Sequence, residues 1–273
     1  VKIDWLSLRH EASELRVSNA FGILSRLGVS AILIKGIAAA RYHPDPSRRF
    51  SSDIDIAISP DEAVRAAEIS KALTGMAVDL HVGFKHLDNK AWETVFYRGE
   101  CFELNGIPVK APRREDHFRI LATHWLNDGG RRTEKLLDIF YCVDGAPEPF
   151  DWDICLEGIG PTRRNWLEKA VGALSRFEER TLRNHPFTRQ EMELPAWFVE
   201  TVEKEKSRDD APLAYAKSFT EFLKAVRGKF PPNPIQATIE AEIPFGDSIP
   251  RVAQIESLFR RIGHSMRTYV LSK

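Results

Sequence analysis

The apolar positions of this chain change period several times, and each change marks an element. From Leu8 to Leu27 they fall at helical spacing (Leu8, Ala12, Leu15, Ala20, Ile23, Leu24, Leu27), and Gly28 supplies a helix stop. The run Ala31 to Ile34 reads as a strand, and Lys35-Gly36 leads from it into a short helical stretch, Ile37 to Tyr42. Proline cannot continue a helix, so His43-Pro-Asp-Pro46 closes that stretch. Strict alternation follows, with Ile54, Ile56 and Ile58 on one face of a strand and Asp53 and Asp55 on the other. Ser59 then stands as a helix cap with Pro60 at the first helical position, which predicts a helix over Ala63 to Leu73 ending at Gly75.

Alternation returns in Met76 to Gly83, placing Asp79 and His81 opposite Val78, Leu80 and Val82. Glu100 to Leu104 and Ile107 to Lys110 flank Asn105-Gly106, a hairpin that is expected to complete a small mixed sheet. Beyond Pro112 the period becomes helical: Arg114 to Leu126, Arg131 to Val143, Trp152 to Glu157, Thr162 to Thr181, Glu200 to Lys206, Leu213 to Arg227 and Val252 to Arg261. Strands first and helices afterwards predict an α+β fold: a small mixed β-sheet with flanking helices over residues 1–112, then a mainly α-helical domain over 113–273.

Composition narrows the partners. The 39 basic and 39 acidic residues cancel, so the chain lacks the footprint of a protein that coats long nucleic acid. Cys101, Cys142 and Cys155 match neither a disulfide framework nor a zinc pattern, which suits a reducing cytoplasm. No apolar run reaches the roughly eighteen residues of a membrane span, and Val1 to His10 lacks the layout of a signal peptide, so a cytoplasmic protein without a membrane partner is expected.

The chemistry gathers on the aspartates. Two ionised carboxylates on one strand face repel unless a cation lies between them, and magnesium held by a few carboxylates plus substrate phosphates is a usual solution. The plain alternative for an isolated Asp-x-Asp is an edge strand with a solvated face. Asp79 changes that balance: neighbouring strands lie about 4.8 Å apart, so in-register pairing makes Asp53, Asp55 and Asp79 converge on one ion. Gly36 lets the backbone approach a phosphate at the strand-to-helix turn, and Lys35 can add a point charge. Arg49 reads either as a bidentate clamp on a triphosphate or as a surface charge beside Arg48, and Ser52 either touches nucleotide or only starts the strand. His81 shares the Asp79 face and either contacts substrate or is structural. His124 and Arg132 either line a substrate cleft or join structural pairs, whereas Asp138 favours the structural role. Trp92, Trp152, Trp166 and Trp197 are assigned to the core.

Together these residues carry a resemblance. Lys35-Gly36 at the end of a strand, Arg49 four residues before Asp53-Ile-Asp55, and Val78-Asp-Leu-His81 resemble the uncharacterised nucleotidyltransferase family of the DNA polymerase beta-like nucleotidyltransferase superfamily. His124, Arg132 and Leu137-Asp138 are similar to further positions of that family, so the resemblance spans about Leu24 to Trp166. It implies a nucleotidyltransferase-like sheet in which Asp53 and Asp55 bind two magnesium ions, with manganese as a substitute, and Asp79 helps activate the attacking hydroxyl. Lys35, Gly36, Arg49 and Ser52 are then nucleotide-binding, and His81, His124 and Arg132 substrate-binding. The implied reaction moves a nucleoside monophosphate from a nucleoside triphosphate, ATP first, to a hydroxyl of a small molecule, protein or RNA, and releases pyrophosphate. The chain departs from most of the superfamily in having Lys35-Gly36 where Gly-Ser is usual. The alternative from another class is a non-catalytic nucleotide-sensing or partner-binding protein that keeps the fold.

Overall fold

Helix α1 (Trp5–Arg26) begins where the Asp4 side chain accepts hydrogen bonds from the backbone N–H groups of Leu6 and Ser7, satisfying donors that the helix itself leaves open. It ends at Leu27, and Gly28 turns the chain with φ 69°. The computed structural model describes residues 4–49, 51, 53–84, 90–206 and 231–260. Strand β1 (Ala31–Leu33) pairs antiparallel with β2 (Ile54–Ile58), which pairs parallel with β3 (Val78–Val82), so β2 is the central strand of three. Parallel neighbours need a crossover. Here it is the 3-10 turn Pro60–Arg65 followed by helix α3 (Ala66–Ala72).

Every residue of β2 is buried, because both faces of the sheet are covered. Ile54, Ile56 and Ile58 pack with Val17, Phe21 and Leu24 of α1 and Ile69 of α3. The other face carries Ile32, Ile34 and Ala57 against Trp92 and Val95 of helix α4 (Trp92–Arg98) and Ile120 of helix α5 (Arg114–Asn127). Asp55 shares the parity of Ala57, so it belongs to this second face. The period of two therefore sorts β2 correctly, while its burial on both sides comes from helices remote in sequence.

Strands β4 (Glu100–Leu104) and β5 (Ile107–Ala111) form a hairpin around Asn105 and Gly106, both with positive φ. The expectation that this hairpin completes the mixed sheet is corrected: β4 and β5 form their own two-stranded sheet. Pro108 removes a donor from β5, and proline within a strand confines it to an edge. The helix expected from Arg131 to Val143 also starts late. Gly129, Gly130 and Arg132 all take positive φ, a 3-10 turn covers Thr133–Lys135, and helix α6 runs over Leu136–Asp144. Helix α4 had no predicted counterpart, being seven residues long and without a side-chain cap at Ala91. The helix expected over Leu213 to Arg227 lies outside the described residues.

The chain divides into two compact units. The first comprises Val1–Leu121, Leu137–Ile159 and Thr181–Pro186, and so includes both sheets, most of α6 and helix α7 (Trp152–Leu156). The second comprises Ala122–Leu136, Gly160–Arg180 and Phe187–Lys273. Its core is built by helices α8 (Pro161–Glu178), α9 (Ala196–Lys206) and α10 (Pro234–Glu240), through buried Trp166, Leu174, Phe198, Val202 and Ile235. Trp92, Trp152, Trp166 and Trp197 are between 1% and 8% exposed, in keeping with core roles. No described helix is long and apolar enough to cross a membrane.

Candidate metal centre

The centre grows from the pairing of β2 with β3. Their register sets Asp55 opposite Asp79 and Ala57 opposite His81, and parity puts all four residues on one face. One ligand atom each from Asp55, Asp79 and His81 lies within 4.8 Å of the others, the one such grouping among the described residues. His81 Nε2 stands 3.2 Å from Asp79 Oδ2 and 3.4 Å from Asp55 Oδ1. The two carboxylates face different surroundings: the Asp55 side chain is 7% exposed and that of Asp79 is 60% exposed. A bound cation would thus be anchored from below and open to solvent above.

Lys35 approaches from β1. Ile34 N–H donates to Asp55 O at 3.0 Å, which aligns the end of β1 with the start of β2. Lys35 Nζ then reaches Asp55 Oδ1 at 2.5 Å, with both side chains buried. Gly36 makes the turn possible. Its φ of 59° and ψ of −116° are unfavourable for any other residue, and an added Cβ would come within 3.1 Å of the Ser51 side chain. Ser51 Oγ in turn donates to Asp53 O at 2.9 Å. Asp53 lies one residue before β2, is exposed, and stands outside the Asp55, Asp79 and His81 group. Convergence of the three aspartates, expected from alternation, therefore gives way to two aspartates and a histidine, because the β2–β3 ladder begins at Ile54 and Val78.

Helix α5 braces the same turn. His117 is fully buried, and its Nε2 lies 2.9 Å from Ile34 O. A carbonyl only accepts, so Nε2 carries the proton and Nδ1 faces the Tyr42 hydroxyl at 3.4 Å. Burial first, and then the nearby Arg41 charge, lower the His117 pKa to about 3, which keeps the ring neutral.

Arg49 is held by Asp138. Its Nε and Nη2 donate to the Asp138 carboxylate at 2.7 Å, and His43 Nε2 meets Asp138 Oδ1 at 2.8 Å. Asp138 is 2% exposed. Burial opposes its charge, but the His43 hydrogen bond and the Arg49 charge outweigh burial and hold its carboxyl below the ordinary value. This latch ties the segment before Asp53 to α6. His43 had read only as part of a helix stop, and nothing local links it to a partner 95 residues away.

No protein-family model and no curated protein matches this chain. Two carboxylate oxygens and an imidazole nitrogen suit a divalent ion: the oxygens fit magnesium, and the nitrogen favours manganese or another first-row metal. His124 and Arg132 belong to the second unit, where His124 Nε2 on α5 pairs at 3.3 Å with Oδ2 of Asp128, just past the end of that helix, and Arg132 takes the left-handed conformation. Ser52 lies outside the described residues.

Proposed function

We propose that this protein is a metal-dependent nucleotidyltransferase, transferring a nucleoside monophosphate from a triphosphate, ATP first, to a hydroxyl acceptor with release of pyrophosphate. One observation carries the reading: Asp55 and Asp79 sit opposite each other on paired parallel strands, with His81 within reach of both. Magnesium or manganese bound there supplies Lewis acidity toward the phosphate oxygens. Asp55, held by Lys35 and the strand ladder, keeps one ligand fixed, while exposed Asp79 faces the side from which substrate arrives. Asp79 is also the carboxylate best placed to take a proton from an attacking hydroxyl, since solvent reaches it. His81 orients both acids. Lys35 and the Gly36 turn provide positive charge and close backbone approach for a triphosphate.

A non-catalytic nucleotide sensor draws on a different observation, the Lys35 ammonium that already neutralises Asp55. The two readings separate in one assay. Purified protein is incubated with each α-labelled nucleoside triphosphate, magnesium or manganese, and a panel of small-molecule, protein and RNA acceptors. Pyrophosphate release with label transfer, lost in Asp55→Asn, is the outcome expected of the transferase. Nucleotide binding without turnover against every acceptor, unchanged in Asp55→Asn, would instead favour the sensor.

A further inference from the structure

We propose that Lys35 is the resident counter-cation of Asp55, and that a divalent cation entering the Asp55, Asp79 and His81 group exchanges the Lys35 ammonium from Asp55 to a triphosphate oxygen. The inference rests on the nucleotidyl-transfer reading for the destination of the ammonium, and on geometry alone for its departure. Lys35 Nζ lies 2.5 Å from Asp55 Oδ1, the same oxygen that His81 Nε2 faces at 3.4 Å. A magnesium-type ion requires a carboxylate oxygen at about 2.1 Å. Ammonium and divalent ion thus compete for one small buried volume, where charges of like sign repel with little screening. Lysine is suited to yield. Its charge is a point on a flexible four-carbon stem, whereas the Gly36 turn and the Ile34 backbone bonds keep its Cα in place.

A buried ammonium cannot be left without a counter-charge. Its release from Asp55 therefore becomes favourable when an anionic ligand arrives with the metal, and the triphosphate is that ligand. Metal and nucleotide then bind with positive coupling, because each removes the cost that the other faces alone. The device keeps Asp55 neutralised in the resting protein and discourages loading by free metal.

Lys35→Met tests this through opposite signs. Mn2+ titrated into wild-type protein without nucleotide, followed by the electron paramagnetic resonance of free Mn2+, is expected to bind weakly. Lys35→Met is expected to bind Mn2+ at least about 10-fold more tightly, yet to bind a non-hydrolysable ATP analogue with Mn2+ at least about 10-fold more weakly. A purely structural lysine would move both affinities the same way, and that result, or unchanged Mn2+ affinity, overturns the exchange. If Lys35→Met tightens Mn2+ binding but wild-type protein binds no triphosphate, the competition at Asp55 stands and nucleotidyl transfer falls. Amine labelling of the wild-type protein keeps the inference testable if Lys35→Met does not fold. With Mn2+ and the analogue added, the rate of Lys35 modification, read by mass spectrometry, must change at least several-fold, and an identical rate in all conditions contradicts the proposal.

Discussion

Two buried aspartates in the first unit meet a cation and a histidine, and they are built to opposite ends. Asp138 accepts from both Arg49 nitrogens and from His43, so a single negative charge is enclosed by a permanent positive charge and an imidazole. Asp55 likewise meets Lys35 and His81, but within its group a second carboxylate, Asp79, adds another negative charge and stands 60% exposed. Within these groups the first is balanced and closed, while the second keeps a surplus negative charge beside solvent. Buried charge is tolerated when paired and hydrogen-bonded. A paired carboxylate that has a second, unneutralised neighbour is suited to attract a further cation, which is why the Asp55 centre and not the Asp138 latch is the one proposed for chemistry.

The comparison breaks most visibly at Asp138. Asp138→Ala leaves the Arg49 guanidinium without its buried partner and should cost about 3–5 kcal/mol in urea unfolding. Near-native stability with loss of nucleotide binding would move Asp138 from the latch to the site. Asp79→Asn should do the reverse, lowering activity and Mn2+ affinity by at least about 100-fold, more than the loss of a group that only orients a metal ligand, with little change in urea midpoint. Acid sharpens the contrast further. His117 is neutral when folded, with a pKa of about 3, against 6.5 for the ordinary side chain, so its contribution is complete above pH 6.5 and is lost as pH falls toward 3. On the order of 2 kcal/mol should be gone by about pH 5, and His117→Gln should flatten that part of the stability profile. The Asp138 carboxyl, held low, should begin to contribute acid sensitivity only below its ordinary value of 3.8. The smallest effect is expected beside Arg49. Arg48 pairs with Asp45 on the surface, with its side chain 77% exposed, and Arg48→Ala should leave the melting temperature unchanged.

Much of this was legible where the information is local. The alternation of Ile54, Ile56 and Ile58 with Asp55 gave the strand face, and Val78 to Val82 repeated it, so the facing of Asp55 and Asp79 needed only the parallel register. Asn105-Gly106 marked its hairpin, and Ser59 with Pro60 its helical turn. What stayed hidden depends on remote partners. The pairing of Arg49 with Asp138 was not legible, because Asp138 comes 89 residues later. Lys35 read as a phosphate ligand, and its contact with Asp55 emerges only when β1 is laid against β2. His117 carried no motif, yet it holds the backbone of Ile34 from α5. Local periodicity fixes which way a side chain points within its own element, whereas pairing of charges is settled by which elements meet.

The most direct test of the central claim is a crystal structure of the protein soaked with Mn2+ and a non-hydrolysable ATP analogue, with anomalous scattering used to locate the metal. An anomalous peak is expected within coordination distance, about 2.0–2.3 Å, of both Asp55 and Asp79, with the triphosphate beside it and Lys35 withdrawn from Asp55. An intact Lys35–Asp55 pair with no metal peak between the two aspartates, in a crystal where the analogue is seen bound elsewhere, would contradict it.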